Sequence, residues 1–165
     1  RKSKRALSPP RKHAPAASAN KERFAALVVN ADTGMILYEV SASEIRHPAS
    51  LTKMMTLYLL FDALKKGDVR MDTLLPVSAK AASAAPTNIS LTPGDRISVR
   101  TAIESLIVRS ANDSAMVVAE ALGGSQEGFA DMMNEKARQL GMTSTRFYNP
   151  SGLPDVRQVS TAYDM

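Results

Sequence analysis

The spacing of hydrophobic and polar residues changes several times along this chain, and each change predicts an element. In "RFAALVVNADTGMILYEV" two β-branched or aromatic runs flank Asn30, Asp32 and Gly34. These turn-forming residues predict a β-hairpin over residues 24–40. Pro48 ends the extended stretch. From Leu51 through Met54, Met55, Leu57, Tyr58, Phe61 and Leu64 apolar positions recur at helical spacing, which predicts a helix that starts beside Ser50 and stops near Gly67. Residues 68–97 hold no sustained period and read as an irregular segment with a turn at Pro93 and Gly94. The stretch "SVRTAIESLIVRSANDSAMVVAEALGG" carries two helical patterns interrupted at Ser110, Ala111 and Asn112, the second closing at Gly123 and Gly124. A last helix is expected in "SQEGFADMMNEKARQLGM", with Ser125 as its N-cap and Gly141 as its stop. A hairpin followed by helices predicts an α+β domain whose sheet is incomplete.

Composition supports a globular domain of modest size, with 165 residues of which 44% are hydrophobic. No apolar stretch approaches the roughly 20 residues that span a bilayer, because Lys53 and Asp62 break the Leu51–Leu64 run. The net charge of +5 is unevenly placed. Residues 1–23 hold eight Lys or Arg and one Glu, a net of +7, which leaves −2 for residues 24–165. The basic, Pro/Ala/Ser-rich stretch 1–23 is expected to be a flexible tail or linker, with contact to an anionic polymer or lipid headgroup as the lesser reading. The nearly neutral remainder argues against a nucleic-acid partner. The absence of cysteine excludes disulfides, thiolate chemistry and thiolate zinc sites. His13 and His47, with no clustered carboxylates, predict no metal site, and nothing calls for a cofactor. His47 reads as a loop histidine without a catalytic role, and the nine methionines read as helical core filler. The chain opens at Arg1 and closes on "STAYDM" without a glycine cap or polar tail. It is therefore expected to be a segment of a longer protein, with room upstream for a signal peptide.

Chemistry enters at "HPASLTKMM". Residues at i and i+3 on a helix are neighbours, so Ser50 and Lys53 are placed to share a hydrogen bond. A serine hydroxyl becomes a nucleophile when a base takes its proton, and a neutral lysine amine is such a base. Burial and the positive end of a helix both disfavour the ammonium form, and the helix start offers a backbone N–H to an oxyanion. The alternative is that Ser50 caps the helix and Lys53 reaches to solvent. Spacing alone does not choose, since Ser18-Ala19-Asn20-Lys21 repeats it with no apolar helix following. Ser110-Ala111-Asn112, at the break between two helices, supplies a hydroxyl and an amide suited to relaying a proton and holding a substrate amide. Its alternative is capping of a helix that begins near Asp113.

The blocks "HPASLTKMM", "SANDSAMVVAE" and "FYNPSGLPD" resemble those of serine-type D-alanyl-D-alanine carboxypeptidases, the low-molecular-mass penicillin-binding proteins of bacterial cell walls. "VVNADTGMILYE" resembles their opening hairpin. The resemblance runs from about residue 24 to the end, and its first two motifs are shared with serine β-lactamases. It implies a β-lactamase/transpeptidase-like fold, an antiparallel sheet with a helical subdomain. Residues 24–165 would form the N-terminal portion of that catalytic domain, without the C-terminal strands. By resemblance Ser50 is the acylated nucleophile, Lys53 its general base, Ser110 a proton relay to the leaving amine, and Asn112 a side chain that positions substrate and orients Lys53. The implied partners are peptidoglycan stem peptides ending in D-Ala-D-Ala and β-lactam antibiotics. The implied place is the periplasm or another extracytoplasmic part of the cell envelope, with membrane association through segments outside this chain. The family's third motif, Lys-Thr-Gly, does not occur in this sequence. It would bring most of the sheet, part of the oxyanion hole and the cation that receives the substrate carboxylate. A serine β-lactamase fits less well, because Glu120, Glu127 and Glu135 all fall in helical patterns and the middle motif is Ser-Ala-Asn instead of Ser-Asp-Asn. A noncatalytic cell-wall-binding module of the same fold is the alternative from another class.

Overall fold

The computed structural model describes residues 24–165; the basic stretch 1–23, including Ser18–Lys21 and His13, lies outside the described residues. The expected hairpin is present as β1 (Ala26–Val29) antiparallel to β2 (Ile36–Val40), with Val28 opposite Tyr38 and Val29 opposite Ile36. Asn30 builds its turn. The side-chain oxygen accepts from the backbone N–H groups of Asp32 and Thr33 and from the Thr33 hydroxyl, at 3.0, 2.8 and 2.9 Å, the local bonding that suits Asn to turns. Val28, Val29, Ile36, Leu37 and Tyr38 are all exposed.

A 3₁₀ turn at Ala49–Leu51 leads into α1 (Thr52–Lys66), which ends at Gly67. The periodicity that predicts this helix does not name its buried face. Leu51, Met54, Tyr58 and Phe61 are exposed, whereas Thr52, Lys53, Met55, Thr56, Leu59, Leu60 and Ala63 are buried. A helix apolar on two sides forms whichever side meets the core, so polar Lys53 and the two threonines enter the interior because their partners lie there.

Residues 68–97 are not irregular throughout. Strand β3 (Leu74–Pro76) pairs antiparallel with β4 (Arg96–Ser98), Leu75 opposite Ile97, and a short helix α2 (Ala79–Ala82) lies between them with Ser78 capping the Ala81 N–H at 2.9 Å. Three-residue strands are too short to show alternation, and their pairing joins segments some twenty residues apart.

Helix α3 (Val99–Arg109) starts with Ser98 capping Thr101, α4 (Asn112–Gly123) follows directly, and α5 (Gln126–Gln139) opens on Ser125, whose hydroxyl accepts from Gly128 N–H at 2.9 Å as expected. Helix α4 is central and packs on α1, α2, α3 and α5; every residue from Asn112 to Ala119 is buried. Around it Leu60, Val99, Val117, Val118, Phe129, Met133 and Phe147 make one core, each such side chain contributing about 1.5–3 kcal/mol of transfer free energy. Of the methionines, Met55, Met116, Met133 and Met142 are buried, but Met35, Met54 and Met132 are exposed. Lys136 on α5 bonds Asp62 on α1 at 2.7 Å, tying the two helices outside the core.

Residues 140–165 return across the molecule. Arg146 bridges to Val159 and Arg46 to Ser160, which lays the turn at residues 149–158 against the first turn of α1. Among the described residues no helix is long and apolar enough to cross a membrane.

Candidate active site

Ser50 lies exposed in the 3₁₀ turn, and no side-chain cap bond is made at the start of that turn or of α1. The capping alternative for Ser50 is therefore not realised. Lys53 does not reach to solvent either. It is 4% exposed, and its amine donates to the Ser151 carbonyl oxygen at 2.7 Å. The expected direct hydrogen bond between Ser50 and Lys53 is not made; among the described residues the amine bonds the Ser151 carbonyl alone. Burial pushes the Lys53 pKa down from 10.5 to about 8, since a charged amine loses hydration there. That is the direction a general base requires.

A buried polar turn holds the Ser151 carbonyl in place. The Asn149 side-chain oxygen accepts from the backbone N–H groups of Ser151 (3.2 Å) and Gly152 (2.8 Å), and its amide nitrogen donates to the Leu153 carbonyl at 2.9 Å. The Thr56 hydroxyl donates to the Pro150 carbonyl at 2.6 Å. Gln158 accepts from the N–H groups of Tyr148 (2.7 Å) and Asn149 (2.9 Å) and donates to the Thr52 hydroxyl at 3.2 Å. Gly152, at φ +84°, runs so close to the turn carrying Ser50 that an added β-carbon would overlap the Ala49 carbonyl. His47 Nδ1 lies 2.8 Å from the Gln158 carbonyl, to which its Nδ1–H tautomer donates. On the outer side Arg157 pairs with Asp155 at 2.6 Å and stacks over Tyr148 at 4.1 Å; hydrogen bonds from Arg157 hold the Asp155 carboxyl down at about 2. A cleft of about 300 Å³ lies between His47–Ala49 and Gly152–Val156.

The second predicted element sits where α3 gives way to α4. Ser110 takes the left-handed conformation at φ 52° as the C-cap of α3, and its buried hydroxyl has no hydrogen-bond partner among the described residues. The N-cap of α4 is Ala111, with no side-chain bond, so neither Ser110 nor Asn112 caps that helix. The Asn112 amide nitrogen donates to the Ala85 carbonyl at 2.9 Å and its backbone N–H to Thr87 at 2.7 Å. Among the described residues the Asn112 side chain makes no hydrogen bond to Lys53; its bond goes to the neighbouring loop. No hydrogen bond among the described residues joins Ser110 or Asn112 to Ser50 or Lys53. The loop at 85–91 is fixed in turn by Asp113, wholly buried, whose carboxylate accepts from the N–H groups of Ile89 (3.1 Å) and Leu91 (3.2 Å).

Sequence reasoning missed Asn149, the Ser151 carbonyl, Gly152, Gln158 and Asp113. The turn dipeptides Asn149-Pro150 and Ser151-Gly152 were visible, but nothing local says which atoms the turn meets.

Two small antiparallel sheets flanking helices around a buried central helix match part of the fold of the penicillin-binding proteins. The family model described as Peptidase_S11, D-alanyl-D-alanine carboxypeptidase, matches residues 11–165, and the chain belongs to this family. D-alanyl-D-alanine carboxypeptidase DacF of Bacillus subtilis is 39% identical over 144 residues, 87% of this chain and 37% of the relative. The crystal structure of the carboxypeptidase DacD from Francisella tularensis superposes with a TM-score of 0.83 at 38% identity, covering 85% of this chain and 34% of that one. Penicillin-binding protein D2 from Listeria monocytogenes, in its ampicillin-bound form, gives a TM-score of 0.75 at 32% identity over 85% of this chain and 57% of that one. The chain thus spans little more than a third of the curated relative's length.

Proposed function

We propose that the protein is a serine-type D-Ala-D-Ala carboxypeptidase of peptidoglycan, with Ser50 as nucleophile, Lys53 as general base, Ser110 as proton relay and Asn112 as a substrate-positioning amide. The observation that carries this is the Lys53 amine, buried one turn from Ser50 and held near a pKa of 8. At neutral pH a share of it is neutral and ready to accept a proton. Ser50 Oγ attacks the carbonyl carbon between the two D-alanines while Lys53 takes its proton. The tetrahedral intermediate collapses, the C–N bond breaks, and the leaving D-alanine amine receives a proton through the Ser110 hydroxyl. Water then hydrolyses the Ser50 ester. Backbone N–H groups at the helix start favour the oxyanion, a contribution that is commonly the largest in such reactions.

β-Lactams are read by the same chemistry: attack of Ser50 opens the ring and leaves an acyl-enzyme. The ampicillin-bound Listeria neighbour supports this reading. The relatives' names favour a carboxypeptidase over a β-lactamase. Since the substrate is the wall polymer, the enzyme belongs outside the cytoplasm, with any membrane attachment supplied by segments outside this chain.

The test is labelling of the full-length protein with a fluorescent penicillin, followed by peptide mapping and by an assay of D-alanine release from a D-Ala-D-Ala-terminated peptide. The label is expected on Ser50 and is expected to vanish in Ser50→Ala. Label on another serine, such as Ser18, or label that survives Ser50→Ala, would overturn the assignment.

A further inference from the structure

We infer that Gln158 is a positioning residue for the Lys53 amine: its buried side-chain amide clamps the first turn of α1 to the Asn149–Gly152 turn and so fixes the carbonyl that receives Lys53. The inference rests on the reading of Lys53 as the base and names the residue that sets its geometry.

Gln158 is 3% exposed, and every hydrogen-bonding position of its amide is used. The oxygen accepts from Tyr148 and Asn149 N–H; the nitrogen donates to Thr52 Oγ1 at 3.2 Å and faces Asn149 Oδ1 at 3.5 Å. These partners bracket the catalytic amine on both sides. Thr52 immediately precedes Lys53 on the helix. Asn149 holds the N–H groups of Ser151 and Gly152, and Ser151 supplies the only hydrogen-bond acceptor of the Lys53 amine among the described residues. Alongside the Thr56–Pro150 bond, this amide ties the helix that carries the base to the turn that carries its acceptor.

The charged groups nearby leave this neutral clamp as the means of control. Among the described residues Lys53 has no acidic partner, and burial lowers its pKa. Asp155 and Arg157, on the same turn, satisfy each other. His47 meets the Gln158 carbonyl and not its side chain, and Tyr148 meets that side chain through its backbone N–H. A purely structural role predicts lost stability and nothing else. A positioning role also predicts that Lys53 titrates differently once the turn loosens and water reaches the amine.

The experiment measures the pH dependence of penicillin acylation, together with melting temperature, in the full-length protein and three variants. Gln158→Met keeps the volume and removes all four contacts. Gln158→Glu keeps the shape but replaces the donor with a carboxylate oxygen that faces Asn149 Oδ1 and carries charge. Asn134→Leu is the control: Asn134 on α5 grips both the N–H and the carbonyl of Phe147 at 2.8 Å, so it anchors the same segment without touching the Asn149–Ser151 turn. Both Gln158 variants are expected to acylate at least about tenfold more slowly near pH 7, with the midpoint of the pH–rate profile moved upward by half a unit or more. The shift should be larger for Gln158→Glu, whose charge favours the ammonium form. Asn134→Leu should lose stability and keep the midpoint. Gln158 variants that lose stability but keep the wild-type midpoint would overturn the inference while leaving Lys53 as the base. A wild-type profile with no titration near 8 would overturn both.

Discussion

Gly152 and Ala49 lie in backbone contact, so tight that the space for a β-carbon at Gly152 is occupied by the Ala49 carbonyl oxygen. The contact presses the turn that receives Lys53 against the turn that presents Ser50. It sets the spacing between the two sides of the site, and Gly152 meets it in the left-handed conformation that only glycine adopts without strain.

Gly152→Ala is therefore expected to displace one turn from the other. The variant should lose about 2–4 kcal/mol of stability, from an overlap that backbone atoms must relieve together with the strained φ, and its penicillin acylation should fall by about a hundredfold or more. Urea denaturation and stopped-flow acylation measure the two effects. A variant with wild-type acylation would show that this spacing does not matter to the chemistry.

Lys53 links catalysis to stability with a definite sign. Its folded pKa of about 8 lies below its ordinary 10.5, so between those values the unfolded chain holds a proton that the folded chain has released, and stability rises with pH across that window. Below pH 8 the whole penalty of burying the amine is present, on the order of 3 kcal/mol. Lys53→Met removes it but leaves the Ser151 carbonyl without its donor, a loss of about 1 kcal/mol. At pH 7 the variant should be about 2 kcal/mol more stable than wild type and inactive, with its advantage gone above pH 10.5. Lys53→Arg, which keeps a charge that cannot be released near neutral pH, should abolish acylation. Substantial activity in Lys53→Arg would reduce Lys53 to an electrostatic partner.

Ser110 and Asn112 should separate stability from activity in different ways. The Ser110 hydroxyl has no partner among the described residues, so Ser110→Ala should leave the melting temperature unchanged or slightly raised while slowing acylation. Asn112 donates to Ala85, so Asn112→Ala should lose about 1 kcal/mol as well as activity. A large fall in melting temperature for Ser110→Ala would assign its hydroxyl a structural task and weaken the relay reading.

Local chemistry determined much of this protein. Asn30 built the hairpin turn, Ser125 capped α5, Gly67 and Gly124 ended helices, and the expected interruption fell at Ser110 and Ala111, with Asn112 opening α4. Each of these depends on atoms a few residues apart, and the residue types report it directly. The same holds for the three-residue spacing of Ser50 and Lys53. Tertiary structure decided the rest. It chose which apolar side of α1 meets the core, paired β3 with β4, and turned Lys53 from Ser50 to a carbonyl 98 residues further on. Gln158 meets Thr52 across a separation of 106 residues. Such contacts depend on where packed helices and a returning turn come to rest, and no local period of hydrophobic and polar positions encodes that distance.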